Sequence, residues 1–412
     1  MSEPDETLWL IEPRDPLIVR DGRPFGPNPG ARATTLPFPF PSTIAGALRH
    51  KVGLRDDGVF DRGQSGEVLK RAVRGPLLVQ LHDDDHPEAA GDIADWLIPA
   101  PADALLLMPD GADKSEICRR WLAPRPLAGG ASIAMPDGLQ PVSPASYERN
   151  KLSSKAPRFW HWDVFSRWLA APEDDTCGPA ELGIAGLEID TRVHVSIQAD
   201  TQTGLEGALF QTSGLELTWR DHEHQKEGGF TTRRLALAAS MNGQTPRFSG
   251  GLAPLGGERR MMRWSRIGAP SFPDWPEGLR ERIIHERRCR VILLTPACFK
   301  DGYRPPPKWM RGKATATLVG AAVPRAQAIS GWDMAHSNKN GSYGQPKPTR
   351  HLAPAGSVYY VTFSDDADVE DWLKETWMQN VSDAVQDQLD GFGLAVVGAW
   401  PETSAAQEVP HA

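Results

Sequence analysis

Cysteine is scarce: the chain has four, at 118, 177, 289 and 298, and no two have C-x-x-C spacing. Neither a zinc site nor a disulfide framework is indicated, and a reducing cytoplasm is the expected compartment. No stretch reaches the about 18 to 20 apolar residues that cross a bilayer, so no membrane partner is expected. The start, Met1-Ser2-Glu3-Pro4-Asp5-Glu6, lacks the basic and then apolar run of a secretory signal. Catalytic signatures are missing as well. There is no G-x-x-x-x-G-K-[ST] for a nucleotide phosphate, no H-E-x-x-H and no G-x-S-x-G around a serine. His82 and His86 are four apart beside Asp83-Asp84-Asp85, but flanking acids and proline mark a loop rather than a metal site. His194 falls in a strand pattern, which favours a packed or hydrogen-bonded histidine over a general base. No side chain is seen with both a nucleophile's role and a base beside it, so no catalysis, metal or cofactor is expected.

What is present is a globular composition with segregated charge. Hydrophobic residues make up 40% of the 412 residues, enough for two domains. The net charge of −8 argues against nucleic acid at first sight. Its distribution argues the other way. Glu12 to Arg55 holds seven Lys/Arg against three acids, and Lys300 to Arg350 nine against two. Ser364 to the end holds eleven acids against one lysine, Lys374. Such runs are usually solvated faces. Here the basic ones also carry glycine, proline and aromatics, as a binding groove would, and the acidic stretch suits contact with protein partners.

Along the chain, Trp9-Leu10-Ile11 reads as a first strand. Seven prolines between Arg14 and Pro41 then dictate loop. Ser42 is placed to cap a helix carrying Ile44, Leu48 and Val52, stopped by Gly53. Arg158 to Leu169 reads as a helix crowded by Phe159, Trp160, Trp162, Phe165 and Trp168, a cluster suited to core or interface and less to RNA stacking. Val193, Val195 and Ile197 alternate with polar residues, and Asp200 to Gly204 is a turn before Ala208-Leu209-Phe210. This predicts a hairpin with a projecting tip, near 192–217. Gly250 to Arg266 is glycine-rich and then basic. Arg290 to Thr295, Val358 to Phe363 and Leu394 to Val397 read as strands, and 312–356 as mostly loop. Val369, Leu373, Trp377, Val381, Val385 and Leu389 recur every four residues, which predicts one amphipathic helix ended by Gly391. The fold class expected is α+β. Gly391-Phe392-Gly393-Leu394-Ala395-Val396 is similar to an RNA-recognition-motif signature, but Asp390 and Leu394 replace a basic and an aromatic residue. Base stacking there is unsupported, and the glycines serve close approach of backbone to backbone or to a phosphate.

These segments together resemble a family. Glu12 to Phe25 and Phe40 to Arg49 are similar to the opening of the third Cmr subunit of type III-B CRISPR effector complexes. Further similar segments follow in order: Trp96 to Asp103, His194 through Thr201-Gln-Thr-Gly204 to Phe210, Leu255 to Arg260, and Leu294 to Ala297. Ile329 to Asp333, Pro346 to Arg350, Pro354 to Val358 and Gly391 to Gly393 complete the set. Residues 104–190 match least.

The resemblance implies a RAMP-superfamily protein with two ferredoxin-like, RRM-like domains, long loops and insertions. The first domain would span 1–267, with an insertion around 56–190, and the second 285–401, leaving 402–412 as a tail. It implies a non-catalytic subunit that holds the 5′ tag of the crRNA. The partners would be the large polymerase-like subunit and the RAMP backbone subunits, with target RNA met indirectly. Arg14, Arg20 and Arg23 would contact phosphates, with Arg49 closing the helix motif. Ser42 and Thr43 cap a helix, receive an anion at its N-terminus, or both. Gly256, Gly257, Arg259 and Arg260 would form a second grip. Lys347 and Arg350 would form a third or meet a partner protein. Thr201, Thr203 and Gly204 are similar to the thumb tip that wedges between guide nucleotides, and Gly391 and Gly393 complete the set. Two other readings stay open: a RAMP-type, metal-independent endoribonuclease that trims precursor crRNA, and a scaffold that binds only proteins.

Overall fold

A computed structural model describes residues 6–20, 22, 31–82, 93–109, 116–127, 133–221, 231–243, 248–267, 272–337 and 343–402. The architecture is α+β and strand-dominated. The chain forms two compact units, each assembled from separated segments. One is Met1–Asp95, Gly186–Pro270 and Ala328–Arg350; the other is Trp96–Ala185, Ser271–Gln327 and His351–Ala412. The division is therefore not linear. Most of the region expected as an insertion of the first domain belongs to the second unit, and residues 328–350 belong to the first. Short-range pattern carries no signal for such threading.

In the first unit, strand Glu6–Pro13 lies at the centre of an antiparallel sheet between Thr231–Asn242 and Met261–Ile267. Val73–Leu81 flanks the former and Gly250–Pro254 the latter. In chain order the four main strands thus lie 2-3-1-4. The central strand is apolar on both faces because both are covered: Leu8, Trp9, Leu10 and Ile11 are all buried. Helix Pro41–Val52 follows the first strand and buries Ile44, Ala45 and Leu48. Its N-cap is Phe40, not the expected Ser42, and Pro41 fills the first turn. Proline fits there because its missing N–H would lack a helical partner anyway. The predicted hairpin is present and longer than its pattern, Glu188–Ile197 with Gly204–Glu216. Within the expected Arg14–Pro41 loop, a short strand, Ala31–Ala33, pairs in parallel with the second arm.

The second unit repeats the 2-3-1-4 order with Arg288–Leu293, Ala314–Ala322, Val358–Phe363 and Leu394–Ala399. It also holds the 96–185 region. There Phe159–His161 is a strand and the helix begins only at Trp162, running to Ala170. Trp160 of the strand and Trp168 of the helix are core, fully buried and meeting edge to face, while Trp162 is half-buried. Trp168 Nε1 donates to Asp103 at 3.0 Å. Asp103 in turn is ion-paired to Arg290, and both side chains are 0% exposed. Arg290 also donates to the carbonyls of Trp168 and Ala399, each at 2.6 Å. A buried pair is tolerable only when every donor and acceptor is satisfied in this way.

Two expectations fail in this unit. The helix over 369–389 is broken into Val369–Lys374, a two-residue strand at Gln379–Asn380, and Val385–Leu389. Met378, at φ 52°, donates its N–H to Ala395, and Val381 donates to Gly393. Pairing with the last strand overrides the four-residue periodicity. The span 312–356, expected as mostly loop, contains Ala314–Ala322 and, in the first unit, Gln327–Ser337 and Tyr343–Leu352. Residues 403–412 of the expected tail lie outside the described residues. Among the described residues no helix is long and apolar enough to cross a membrane.

Candidate nucleic-acid interface

Three basic or turn-rich segments far apart in sequence meet in the first unit. The loop after the central strand runs beside the root of the hairpin, where Leu17 and Leu215 exchange backbone hydrogen bonds of 2.9 and 2.8 Å. The Gly256–Arg260 turn closes on the same loop, with Gly257 N–H donating to Ile18 at 2.7 Å. Only glycine permits this approach. A Cβ on Gly256 would lie 2.4 Å from the Ile18 carbonyl oxygen, and its φ is 72°. Gly256 and Gly257 therefore serve a backbone-to-backbone contact. That contact places the turn bearing Arg259, exposed, against the loop that carries Arg14 and Arg20, both exposed. Arg260 is more enclosed and pairs with Glu258 at 2.9 Å. Arg23 lies outside the described residues.

The hairpin projects from this root. Thr201 N–H donates to Asp200 at 3.0 Å, and the hydroxyls of Thr201 and Thr203 are 2.8 Å apart, so the tip is ordered by its own polar groups. Gly204 opens the second arm. One face is apolar and open: Val193 is 70% exposed and Leu209 57%, beside Ile189 and Val195. On the other, His194 stacks on Phe210 at 5.1 Å and hydrogen-bonds Thr212 at 2.9 Å. That histidine is packed and hydrogen-bonded.

A fourth element joins the same unit. A Cβ on Gly22 would lie 2.9 Å from Ser330 Oγ, so the basic loop reaches the Gln327–Ser337 strand. That strand pairs with Tyr343–Leu352, which carries Lys347, exposed, and Arg350, half-buried. Ser42 and Thr43 are half-buried in the first turn of the long helix. Three assigned residues serve the fold instead. Arg49 is 6% exposed, and its guanidinium donates twice to the Arg71 carbonyl, at 3.2 and 2.8 Å. Gly391 and Gly393 are buried in the second unit. Gly391 accepts from the Thr295 hydroxyl at 2.8 Å, and Gly393 N–H donates to Pro296 at 2.8 Å. Gly391 meets a side-chain hydroxyl and Gly393 a backbone carbonyl, both in the interior of this unit, and they leave the nucleic-acid set.

Residues that sequence reasoning missed also lie here. A cleft of about 340 Å³ is lined by Glu12, Arg14, Leu217, Thr218, Arg234 and Arg263, among others. Glu12 and Arg263 are opposed across two strands, and Glu12 pairs with Arg234 at 2.7 Å. Only strand register brings these together. On the helix, Lys51 is buried with its ammonium 3.8 Å from the centre of the Trp264 ring. Desolvation pulls its pKa down to about 8. Among the described residues, no group of three or more His, Cys, Asp or Glu side chains could hold a metal ion.

The fold and this surface define a strand-rich α+β protein of two units with one four-strand order, one unit gathering basic loops around a projecting hairpin. A model of the family "CRISPR-associated protein (Cas_Cmr3)" matches residues 9–400, and the chain belongs to this Cmr3 family. Chains in two cryo-EM structures of Type III-B Cmr-beta bound to cognate target RNA, one also with AMPPnP, are similar to it. They share 15% and 16% identity at TM-scores of 0.41 and 0.42, each covering 86% of both chains. No curated protein matches.

Proposed function

We propose that this protein is the non-catalytic, RNA-binding subunit of a type III-B CRISPR effector complex, holding the 5′ tag of the crRNA. In this reading it bridges the large polymerase-like subunit to the RAMP backbone subunits, and it meets target RNA only through the guide. The 2-3-1-4 strand order of both units supports reading them as two ferredoxin-like domains of the RAMP type. The observation that carries the proposal is the convergence of the Arg14–Arg20 loop, the Gly256–Arg260 turn and the hairpin root in one unit.

Single-stranded RNA is held through phosphates, splayed bases and 2′-hydroxyls. Arg14, Arg20 and Arg259 supply charge toward phosphates from the exposed side of the contact, and Arg260 supports it beside Glu258. The start of helix Pro41–Val52 offers the Ser42 backbone N–H and the hydroxyls of Ser42 and Thr43 to a further phosphate. Thr201, Thr203 and Gly204 form the tip that wedges between guide nucleotides. Lys347 and Arg350 extend the basic surface. The complex operates in the cytoplasm, in keeping with four cysteines that are all free.

The test is binding of the purified protein, alone and with its large-subunit partner, to guide RNAs with a native or a scrambled 5′ tag. Tag-dependent binding without cleavage is the expected result. Indifference to the tag would reduce the chain to a scaffold, and metal-independent cleavage would make it a nuclease.

A further inference from the structure

Trp332 is a large apolar side chain that the first unit leaves 56% exposed. Its orientation is nonetheless set. The indole lies against Gly344, where an added Cβ would come within 2.1 Å of Trp332 Nε1 and 3.0 Å of two ring carbons. Gly344 has a φ of 92°, a conformation that favours glycine, so this seat depends on that residue. Two further features lie on the same ribbon. Lys347 lies with its Cδ 3.6 Å from where a Cβ of Gly331 would be, and because successive strand residues point to opposite faces, this is the face away from the indole. The basic loop reaches the same strand at Ser330, two residues before the indole, through Gly22. The arrangement is an aromatic plane, pre-oriented by a glycine seat, with the basic loop meeting the strand at Ser330 on the same face.

We propose that Trp332 is a stacking platform for one unpaired base of the bound RNA. The inference rests on the RNA-binding reading and adds to it a residue to which no role had been given. An indole offers a flat apolar surface to any base, and such stacking is sequence-tolerant. The basic loop that meets this face at Ser330, with Arg20 exposed two residues before Gly22, favours a polyanion over an apolar protein surface. Orientation by Gly344 lowers the entropic cost of engaging the base.

The experiment crosses two changes in the full chain bound to native-tag guide RNA: Trp332→Ala against Trp332→Phe, and a single abasic site moved through the tag. Trp332→Ala is expected to weaken binding by about tenfold, and Trp332→Phe by less. At one abasic position, and only there, Trp332→Ala should cost nothing further, because the stacked base is already gone. Lys347→Ala should lower the salt dependence by about one unit of slope without moving that position. Unchanged RNA affinity in Trp332→Ala while the wild type still binds the tag would overturn the platform and leave the tag-binding reading standing. So would additivity of Trp332→Ala with every abasic site, or a loss confined to partner-subunit binding. Failure of the wild type to bind tagged RNA would overturn both.

Discussion

The two units share a strand order and use charge in opposite ways. In the second, the central strand Arg288–Leu293 points Arg290 into the interior, where Asp103, Trp168 and Ala399 satisfy it. In the first, the central strand Glu6–Pro13 is apolar from Leu8 to Ile11, and Glu12 and Arg14 then line an open cleft with Arg234 and Arg263. One unit spends its central arginine on cohesion; the other exposes Arg14 just past the end of its central strand. The glycines differ in parallel. Gly391 and Gly393 hold buried contacts to Thr295 and Pro296, whereas Gly256 and Gly257 bring a basic turn onto a basic loop. A shared scaffold therefore does not tell which half meets a ligand. The fate of its polar side chains does.

The sharpest way to break this contrast is in the second unit. Arg290→Met leaves the Asp103 carboxylate buried without its cation and should cost about 3–5 kcal/mol in chemical denaturation. Adding Asp103→Leu should recover only part of that loss, because it removes the uncompensated charge but leaves Trp168 Nε1 and the carbonyls of Trp168 and Ala399 without their buried partners. If Arg290→Met unfolds no more easily than the parent, cohesion does not depend on the pair. In the first unit, Gly256→Ala forces a Cβ toward the Ile18 carbonyl at a φ unfavourable to alanine. It should cost about 1–3 kcal/mol and weaken tagged-RNA binding through the displaced turn. Arg259→Ala and Arg14→Ala, by contrast, should leave stability within about 0.5 kcal/mol. Each should lower RNA affinity and remove about one unit from its salt slope. Unaltered affinity and slope in the double variant would remove both residues from the interface.

The smallest effect concerns Lys51. Burial depresses its pKa to about 8 from the ordinary 10.5. Between those values the unfolded chain binds the proton and the folded chain does not, so stability should rise as pH climbs from about 8 toward the ordinary lysine range. The Trp264 face favours the ammonium and offsets part of the burial cost. Lys51→Met should abolish the rise and add about 1 kcal/mol at pH 7, read by urea denaturation at pH 7 and 9.5. A variant that keeps the rise would place its origin elsewhere.

Much of this was legible in the sequence, for physical reasons that differ by segment. Trp9-Leu10-Ile11, Val358–Phe363 and the alternating Val193, Val195 and Ile197 declare strands because side-chain period follows backbone period. The same logic misled over 369–389, where the four-residue spacing is genuine but the backbone of Met378 and Val381 is claimed by the last strand. Ser42 and Thr43 were rightly placed at a helix start, yet Pro41 takes the first turn. Arg49 could not be told from its exposed neighbours, since its burial depends on the Arg71 carbonyl that it holds. The cleft of Glu12, Arg234 and Arg263 and the seat of Trp332 on Gly344 arise only from register and long-range pairing. So does the threading of 96–185 into the second unit, anchored by Asp103 and Trp168.

The contrast between the units is tested most directly by photocrosslinking. Guide RNA carrying 4-thiouridine through its 5′ tag would be bound to the full chain with its large-subunit partner, and the crosslinked peptides mapped by mass spectrometry. The account predicts crosslinks to the first unit, at the Arg14–Arg20 loop, the Gly256–Arg260 turn, the tip around Thr201 to Gly204 and the strand bearing Trp332. Crosslinks concentrated in the second unit, on segments such as 288–322 or 358–399, would contradict it.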